Sequence, residues 1–195
     1  MSETPKKFPY GVHASVKHMA AIASNLPSKT GKSLEEWTRL LEEAGPTESK
    51  ARMEWLKVEH GLGRDTAMSI VEIAEGRGNP DPDALVDAMY AGPKAGLRPT
   101  YEAVVEAALS LGEDVQAAPC STYVPLLRKN TFAIIKPTTR TRIDLALALS
   151  GVTPNERLKE AKGLGVSRIT HVVGLSSPAD LDDEVKGWLR QAYEA

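Results

Sequence analysis

The strongest β pattern of the chain lies at residues 123–149, where it predicts two strands joined by a tight turn. Phe132, Ile134 and Ile135 form an apolar run that is typical of a covered strand. After a turn at residues 136–140, apolar and polar positions alternate. Side chains on a strand point to opposite faces in turn, so one face of this second strand is expected in a core and the other is expected to be polar or covered.

The segments around this hairpin predict an α+β domain over residues 83–195. Helical spacing favours a helix over residues 99–111 and a last helix over residues 181–193. Residues 115–122 and 169–175 add short strands. The expected domain is a mainly antiparallel sheet of three or four strands, flanked by helices.

The chain before this domain has helical periodicity and brief connections, which predict a small all-α domain at residues 28–76. Residues 1–27 are expected to hold an arm and a first helix that Pro27 closes. Residues 77–82, rich in glycine and proline, read as a linker. The whole chain is therefore predicted to be α+β, with a helical domain first.

Two helix starts carry capping signals. Ser33, followed three residues later by Glu36, predicts a capping box at the start of one helix. Asp180, followed by Asp183, predicts a second box at the start of the last helix.

Composition excludes several classes of protein. The 195 residues contain 42% hydrophobic and 26% charged residues, with a net charge of −2, as in an ordinary globular chain. The single cysteine excludes an intrachain disulfide framework and favours a cytoplasmic setting. No apolar run approaches the roughly 20 residues of a membrane span, and the N-terminus lacks a signal-peptide core.

Two stretches resemble bacterial protein families of unknown function. Residues 29–76 resemble a helical family through KTGKSLEEW and HGLGRDTAMSIV. Residues 83–195 resemble a second family, sometimes labelled a predicted transport protein, through GLRPTYEAVVEAALSLG, TFAIIKPTTRTRIDLALAL and WLRQAYE. The resemblance implies a fold plan and a bacterial cytoplasmic source but no reaction. The transport label does not fit a chain in which no membrane segment is predicted.

The Gly61-Leu62-Gly63 turn between two predicted helices is similar to a helix-hairpin-helix motif. In that motif the glycines let the backbone pass close to a phosphate, and the N–H groups that start the second helix hold the anion. Arg64 would add charge beside it, although Asp65 stands near where the motif usually has a basic residue. In the alternative, structural interpretation, Gly61 ends a helix in the left-handed conformation and Gly63 permits a tight turn.

A basic group on the hairpin is the second hint of function. On a twisted hairpin some of its members would lie close together and could bind phosphate or an acidic partner. The alternative is a solvated strand face on which Asp144 and neighbouring glutamates pair with the arginines. The group consists of Arg128, Lys129, Lys136, Arg140 and Arg142.

Catalytic constellations have less support. Cys120 would need a nearby base, and only His171 could serve, across the sheet; the alternative is a plain buried thiol. Together with Tyr123 these residues mark a possible pocket between the last helix and the sheet, near Arg142, which would bind a small molecule or a protein partner. Asp144 stands without the second carboxylate that a metal-dependent nuclease requires. The histidines lack the spacing of metal ligands, so no metal and no cofactor is predicted.

These patterns favour a non-enzymatic binding protein whose partner is nucleic acid or a ribonucleoprotein such as the ribosome. The alternative is a module that binds a small metabolite or a protein partner, and a cysteine-dependent enzyme is the least favoured hypothesis. An exposed strand edge in the second domain would allow a dimer.

Overall fold

The computed structural model describes residues 5–78, 80–161 and 166–195, and the chain divides into two compact units. One unit is Val12–Asp81, and the other joins the chain up to Gly11 with Pro82–Ala195. The first unit is helical, whereas the second combines a sheet with helices. The prediction of an α+β protein is therefore confirmed.

The helical unit packs its helices around a small apolar core. Its described helices are α1 (Ala14–Thr30), α2 (Leu34–Ala44), α3 (Ser49–Val58) and α4 (Arg64–Ala74). The capping box at the start of α2 is present as predicted: Ser33 Oγ accepts from Glu36 N at 3.2 Å, and the Glu36 carboxylate accepts from Ser33 N at 2.7 Å. The core residues are Leu26, Trp37, Leu41, Leu56, Ala67, Ile70 and Val71.

The prediction that Pro27 closes the first helix is wrong, because α1 continues through Pro27 to Thr30. A proline inside a helix removes one backbone donor and therefore one hydrogen bond. Here the cost is offset by the burial of Leu26 in the core and by its carbonyl, which accepts from Thr30 Oγ1 at 2.8 Å. The helix ends only where Gly31 adopts a φ of +74°, in the left-handed region.

The α+β unit is built on an antiparallel sheet that has six strands in the described part of the chain. They are β1 (Gln116–Ala117), β2 (Val124–Leu127), β3 (Thr131–Pro137), β4 (Ile143–Leu147), β5 (Leu158–Glu160) and β6 (His171–Leu175). Their order across the sheet is β1-β2-β3-β4-β6-β5, and neighbouring strands are antiparallel throughout.

The sheet has more strands than the three or four predicted. A turn at residues 128–130, closed by Arg128 N donating to Asn130 O at 3.1 Å, divides the first predicted strand of the hairpin into β2 and β3. The short strand β5 was not predicted at all.

Both faces of the central strands are covered. The described helices of this unit are α5 (Pro82–Met89), α6 (Arg98–Leu109) and α7 (Asp183–Glu194), with 3₁₀ turns at Gly92–Leu97 and Pro178–Asp180. They contribute, with one face of the sheet, to a large core that includes Tyr101, Val105, Ile135, Leu145, Val173 and Leu189. A smaller cluster contains Ile134, Ala146, Ala148 and Ile169. Alternation places its strand residues on the opposite face.

The last helix begins later than predicted, because Asp182 rather than Asp180 is its N-cap. The Asp182 carboxylate accepts from Val185 N at 3.1 Å. The Asp180 carboxylate instead accepts from Ser176 N at 2.7 Å and Ser177 N at 3.1 Å. It therefore closes a capping box on the 3₁₀ turn that Pro178 starts.

Residues 5–11 form an arm that lies on the α+β unit. Tyr10 forms a β-bridge with Ala117, and Gly11 N donates to Ala117 O at 2.8 Å. The Tyr10 hydroxyl lies 2.9 Å from the Tyr101 hydroxyl, and the Phe8 ring meets the Tyr101 ring edge-on. The arm is therefore fixed by a backbone bridge at one end and by aromatic packing along its length.

We expect Tyr10→Phe to lower the opening free energy of the α6 amides by about 1 kcal/mol, because the buried Tyr101 hydroxyl loses its partner. Amide hydrogen exchange measures this free energy directly. Tyr193→Phe is the matched control: the Tyr193 hydroxyl bonds to Asp114 at an exposed site, where water can replace it. Equal losses in the two variants would contradict a structural role for the Tyr10–Tyr101 contact.

Candidate functional site

The two glycines of the GLG turn have different backbones. Gly61 has a φ of +63°, in the left-handed region that favours glycine. Beside it, Leu62 N donates to Leu56 O at 3.1 Å and closes the end of α3. Gly63 has φ −64° and ψ 154°, an extended conformation that any residue can adopt. The turn therefore requires a glycine at position 61 but not at position 63.

Gly63 leaves the start of α4 uncovered. It is the N-cap of α4 and makes no side-chain cap hydrogen bond. A Cβ added at Gly61 or Gly63 would meet no atom within 4 Å. The first N–H groups of a helix lack intrahelical partners and attract anions. Arg64 is exposed in this first turn, as is Asp65, whose carboxylate opposes an anion there.

A groove of about 670 Å³ adjoins the turn and brings two lysines to it. Lys29 and Lys32, at the end of α1, line the groove together with Trp37, His60 and the two glycines. We call it the GLG groove. The Lys32 ammonium lies 5.7 Å from the centre of the Trp37 ring, and Trp37 Nε1 donates to Thr30 Oγ1 at 2.8 Å. Sequence reasoning missed both lysines, although the KTGK run after Pro27 was visible.

His60 forms part of the wall of the GLG groove. Its ring meets Trp55 and Trp37 edge-on, with ring centres 4.3 and 5.2 Å apart. Its Nε2 atom is buried and has no hydrogen-bond partner among the residues that the structure describes. His60 therefore contributes aromatic surface to the groove, while its Nε2 atom lies in the interior of the helical unit.

The hairpin's basic residues lie at opposite ends of β3. Arg128 and Lys129 belong to the turn before the strand, whereas Arg140 and Arg142 follow it. A strand of seven residues, such as β3, is about 23 Å long. Arg128 also has protein partners: its Nε lies 2.7 Å from the Asp114 carboxylate, and its guanidinium 4.6 Å from the centre of the Tyr193 ring. The basic residues therefore do not form one patch.

The far end of β3 carries a second groove, of about 600 Å³. Lys136 and Arg140 line it together with Lys94, which sequence reasoning also missed. Arg142 is engaged elsewhere, because its Nε lies 2.8 Å from the Asp144 carboxylate. The alternative interpretation, in which carboxylates pair with the basic residues of the strand face, therefore holds for Arg142 but not for Lys136 and Arg140. We call this second groove the Lys94 groove.

The structure does not bring Cys120, Tyr123 and His171 together in one pocket. Cys120 N donates to Tyr123 O at 2.9 Å, so these two residues are close. His171 is on β6, three strands across from β2, a separation of roughly 14 Å at the usual strand spacing. Alternation places it on the face of Val173, opposite the cluster against which Tyr123 packs. Its Nδ1 atom is 2.9 Å from Thr170 Oγ1.

No group of three or more histidine, cysteine, aspartate or glutamate side chains among the described residues could hold a metal ion. None of the helices in the described ranges has the length and apolarity needed to cross a bilayer.

Family models match both units of the chain. Residues 86–195 match the family described as Domain of unknown function (DUF5655), and residues 18–76 match the one described as Domain of unknown function (DUF4287). Neither description mentions transport, so the transport label has no support here. No curated protein and no solved structure matches the chain.

We expect Cys120 to react slowly with iodoacetamide at pH 7. Burial raises the pKa of the Cys120 thiol above its usual value, so the reactive thiolate is scarce at neutral pH. The alkylation rate, followed by mass spectrometry, should be below that of free cysteine and rise steeply above pH 9. Alkylation at pH 7 faster than that of free cysteine would instead indicate an activated nucleophile.

Proposed function

The chain belongs to the family described as Domain of unknown function (DUF5655), and we propose from its grooves that it binds nucleic acid through the phosphate backbone. The GLG groove of the helical unit is the contact surface, as the similarity of the turn to a helix-hairpin-helix motif suggests. We further propose that the protein works in the cytoplasm, which its single cysteine supports.

The observation that carries this proposal is the convergence of Lys29 and Lys32 on the uncovered start of α4. Backbone N–H groups at a helix start donate hydrogen bonds to phosphate oxygens, and lysines supply the charge. Gly63 has no conformational reason to be glycine, and its missing side chain leaves room for a close approach. These are contacts that position a nucleic acid without reading its sequence.

The charge of the chain sets the expected strength of binding. With a net charge of −2, no global field attracts a polyanion, so the attraction is local to the groove. Non-specific binding of this kind has a Kd on the order of 10⁻⁴ to 10⁻⁶ M at physiological salt and weakens steeply as salt rises. A ribonucleoprotein with exposed phosphates would be bound in the same way.

We expect the double variant Lys29→Gln/Lys32→Gln to bind a fluorescent 20-base-pair duplex more weakly than the unmodified chain. Each phosphate contact contributes about 0.9 to the slope of log Kobs against log salt concentration, so losing two should reduce that slope by roughly 2. Fluorescence anisotropy over a series of salt concentrations measures both quantities.

The control for this experiment is Lys50→Gln. Lys50 is an exposed residue in the first turn of α3, and the GLG turn lies beyond the other end of that helix, roughly 15 Å away. It has no part in the lining of the GLG groove. If the double variant and the Lys50 variant show the same slope, the proposed contact surface is wrong.

A second variant tests the start of α4 itself. Gly63→Asp places a carboxylate where it can cap the free N–H groups, and aspartate is a favoured N-cap residue. We expect nucleic-acid binding to weaken several-fold while the melting temperature of the protein stays the same or rises. Weaker binding together with a lower melting temperature would indicate unfolding rather than competition for the N–H groups.

A further inference from the structure

The Lys94 groove lies wholly within the α+β unit and is independent of the GLG groove. Its volume of about 600 Å³ falls in the range of small-molecule sites, roughly 300–1,000 Å³. Besides the three basic residues, Ser121 and Thr122 add hydroxyl groups to its lining, and the exposed residues Ala91 and Pro93 add apolar surface.

Lys136 forms no ion pair with any residue that the structure describes, although a carboxylate is its direct neighbour. Lys136 and Asp144 are opposite each other on β3 and β4, so their side chains share one face of the sheet. The Asp144 carboxylate, however, accepts from Thr138 Oγ1 at 2.7 Å and pairs with Arg142 Nε at 2.8 Å. Arg142 holds this position because Gly174 has no side chain: a Cβ there would lie 2.8 Å from Arg142 Cδ. Because Asp144 pairs with Arg142, the Lys136 ammonium is left to interact with a ligand in the groove.

Arg140 is presented by an ordered turn. Thr139 N donates to Arg142 O at 3.2 Å, and Thr141 N donates to Thr139 Oγ1 at 3.2 Å. Arg140 itself makes no hydrogen bond or ion pair with any residue in the described ranges, in contrast to Arg142. A guanidinium with five free N–H donors can bind two oxygens of one anion at once.

Lys94 completes the set from another element. Its ammonium donates to Pro137 O at 2.6 Å, which fixes it in the wall of the groove. An ammonium has three donors, so two remain for a ligand. Three cations from Lys94, Lys136 and Arg140 therefore line one concave surface, and no acidic residue is part of that lining.

We infer that the Lys94 groove binds the phosphate of a small organic phosphate monoester. Such a group carries a charge of about −1.5 to −2 at pH 7 and offers three strong acceptor oxygens, which matches the three cations. Ala91 and Pro93, both exposed, provide apolar surface for the organic part of the ligand. This inference goes beyond nucleic-acid binding and does not depend on it.

The probe that tests this inference is phenyl phosphate, which joins a phosphate dianion to an apolar ring. It is added to the ¹⁵N-labelled full-length chain at constant ionic strength while amide chemical shifts are recorded. We expect saturable shifts at Lys94 and at residues 136 and 138–140, with weaker binding of inorganic phosphate because it lacks the ring. Unchanged shifts at these amides up to about 20 mM phenyl phosphate, a concentration well above the millimolar Kd of a weak ligand, would overturn the inference.

Variants locate the site. Arg140→Gln should weaken phenyl phosphate binding about tenfold or more, as expected for losing hydrogen bonds to a charged group. Because Arg140 has no partner among the described residues, this change should leave the fold intact. The matched control is Arg190→Gln, an exposed arginine of α7 outside the groove lining. Equal affinities for the two variants would overturn the assignment.

A last arm separates a free phosphate monoester from the phosphates of a nucleic acid. Duplex DNA is added to the Lys29→Gln/Lys32→Gln variant, in which the GLG groove is weakened. If the DNA leaves the amides of residues 136 and 138–140 unshifted, the Lys94 groove is a small-molecule site. If the DNA shifts these amides at lower concentrations than phenyl phosphate does, the inference is overturned. Signals at residues 61–66 report the GLG groove separately, so the failure of one proposal is distinguishable from the failure of the other.

Discussion

The burial of both faces of β3 and β4 constrains where this protein can carry charge. Ile135 and Leu145 lie in the large core, while Ile134 and Ala146 lie in the smaller cluster. A strand covered on both sides has no open face for a basic patch. The arginines and lysines of this region are therefore confined to strand ends and turns. Because the turns before and after β3 lie at opposite ends of the strand, the charges are separated by its length.

Much of the fold was predictable from local pattern, because alternation and capping chemistry are local. The leucine and isoleucine positions of β4 are buried in the large core as their alternation predicted. Other elements depend on distant contacts. Leu158 is buried while its neighbours Lys159 and Glu160 are exposed, so β5 is too short to show a period. The turn at residues 128–130 lacks glycine and proline, and its neighbours are apolar enough to suggest one continuous strand.

The candidate sites were less predictable than the fold, because each joins residues that are distant in sequence. The GLG turn was visible as a motif, but the lysines beside it lie in the last turn of α1 and just after it, and they reach the turn only through helix packing. Lys94 reaches the end of β3 through a single hydrogen bond to Pro137. Asp144 pairs with Arg142 because Gly174 has no side chain that would displace Arg142. Gly174 is on β6, two strands away from Lys136 on β3. Spacing along the chain contains none of this information.

The docking of residues 5–11 on the α+β unit has a consequence for the order of events during synthesis. The arm leaves the ribosome before the surface that it binds, because Lys6 N bonds to Glu102, which is 96 residues further along the chain. At 5–20 residues per second, the partner appears roughly 5–20 s after the arm. All core residues of the helical unit, from Leu26 to Val71, are made within that interval. The aromatic side chains of Phe8 and Tyr10 are therefore synthesised before the surface that covers them. The intervening helices are completed in the time between.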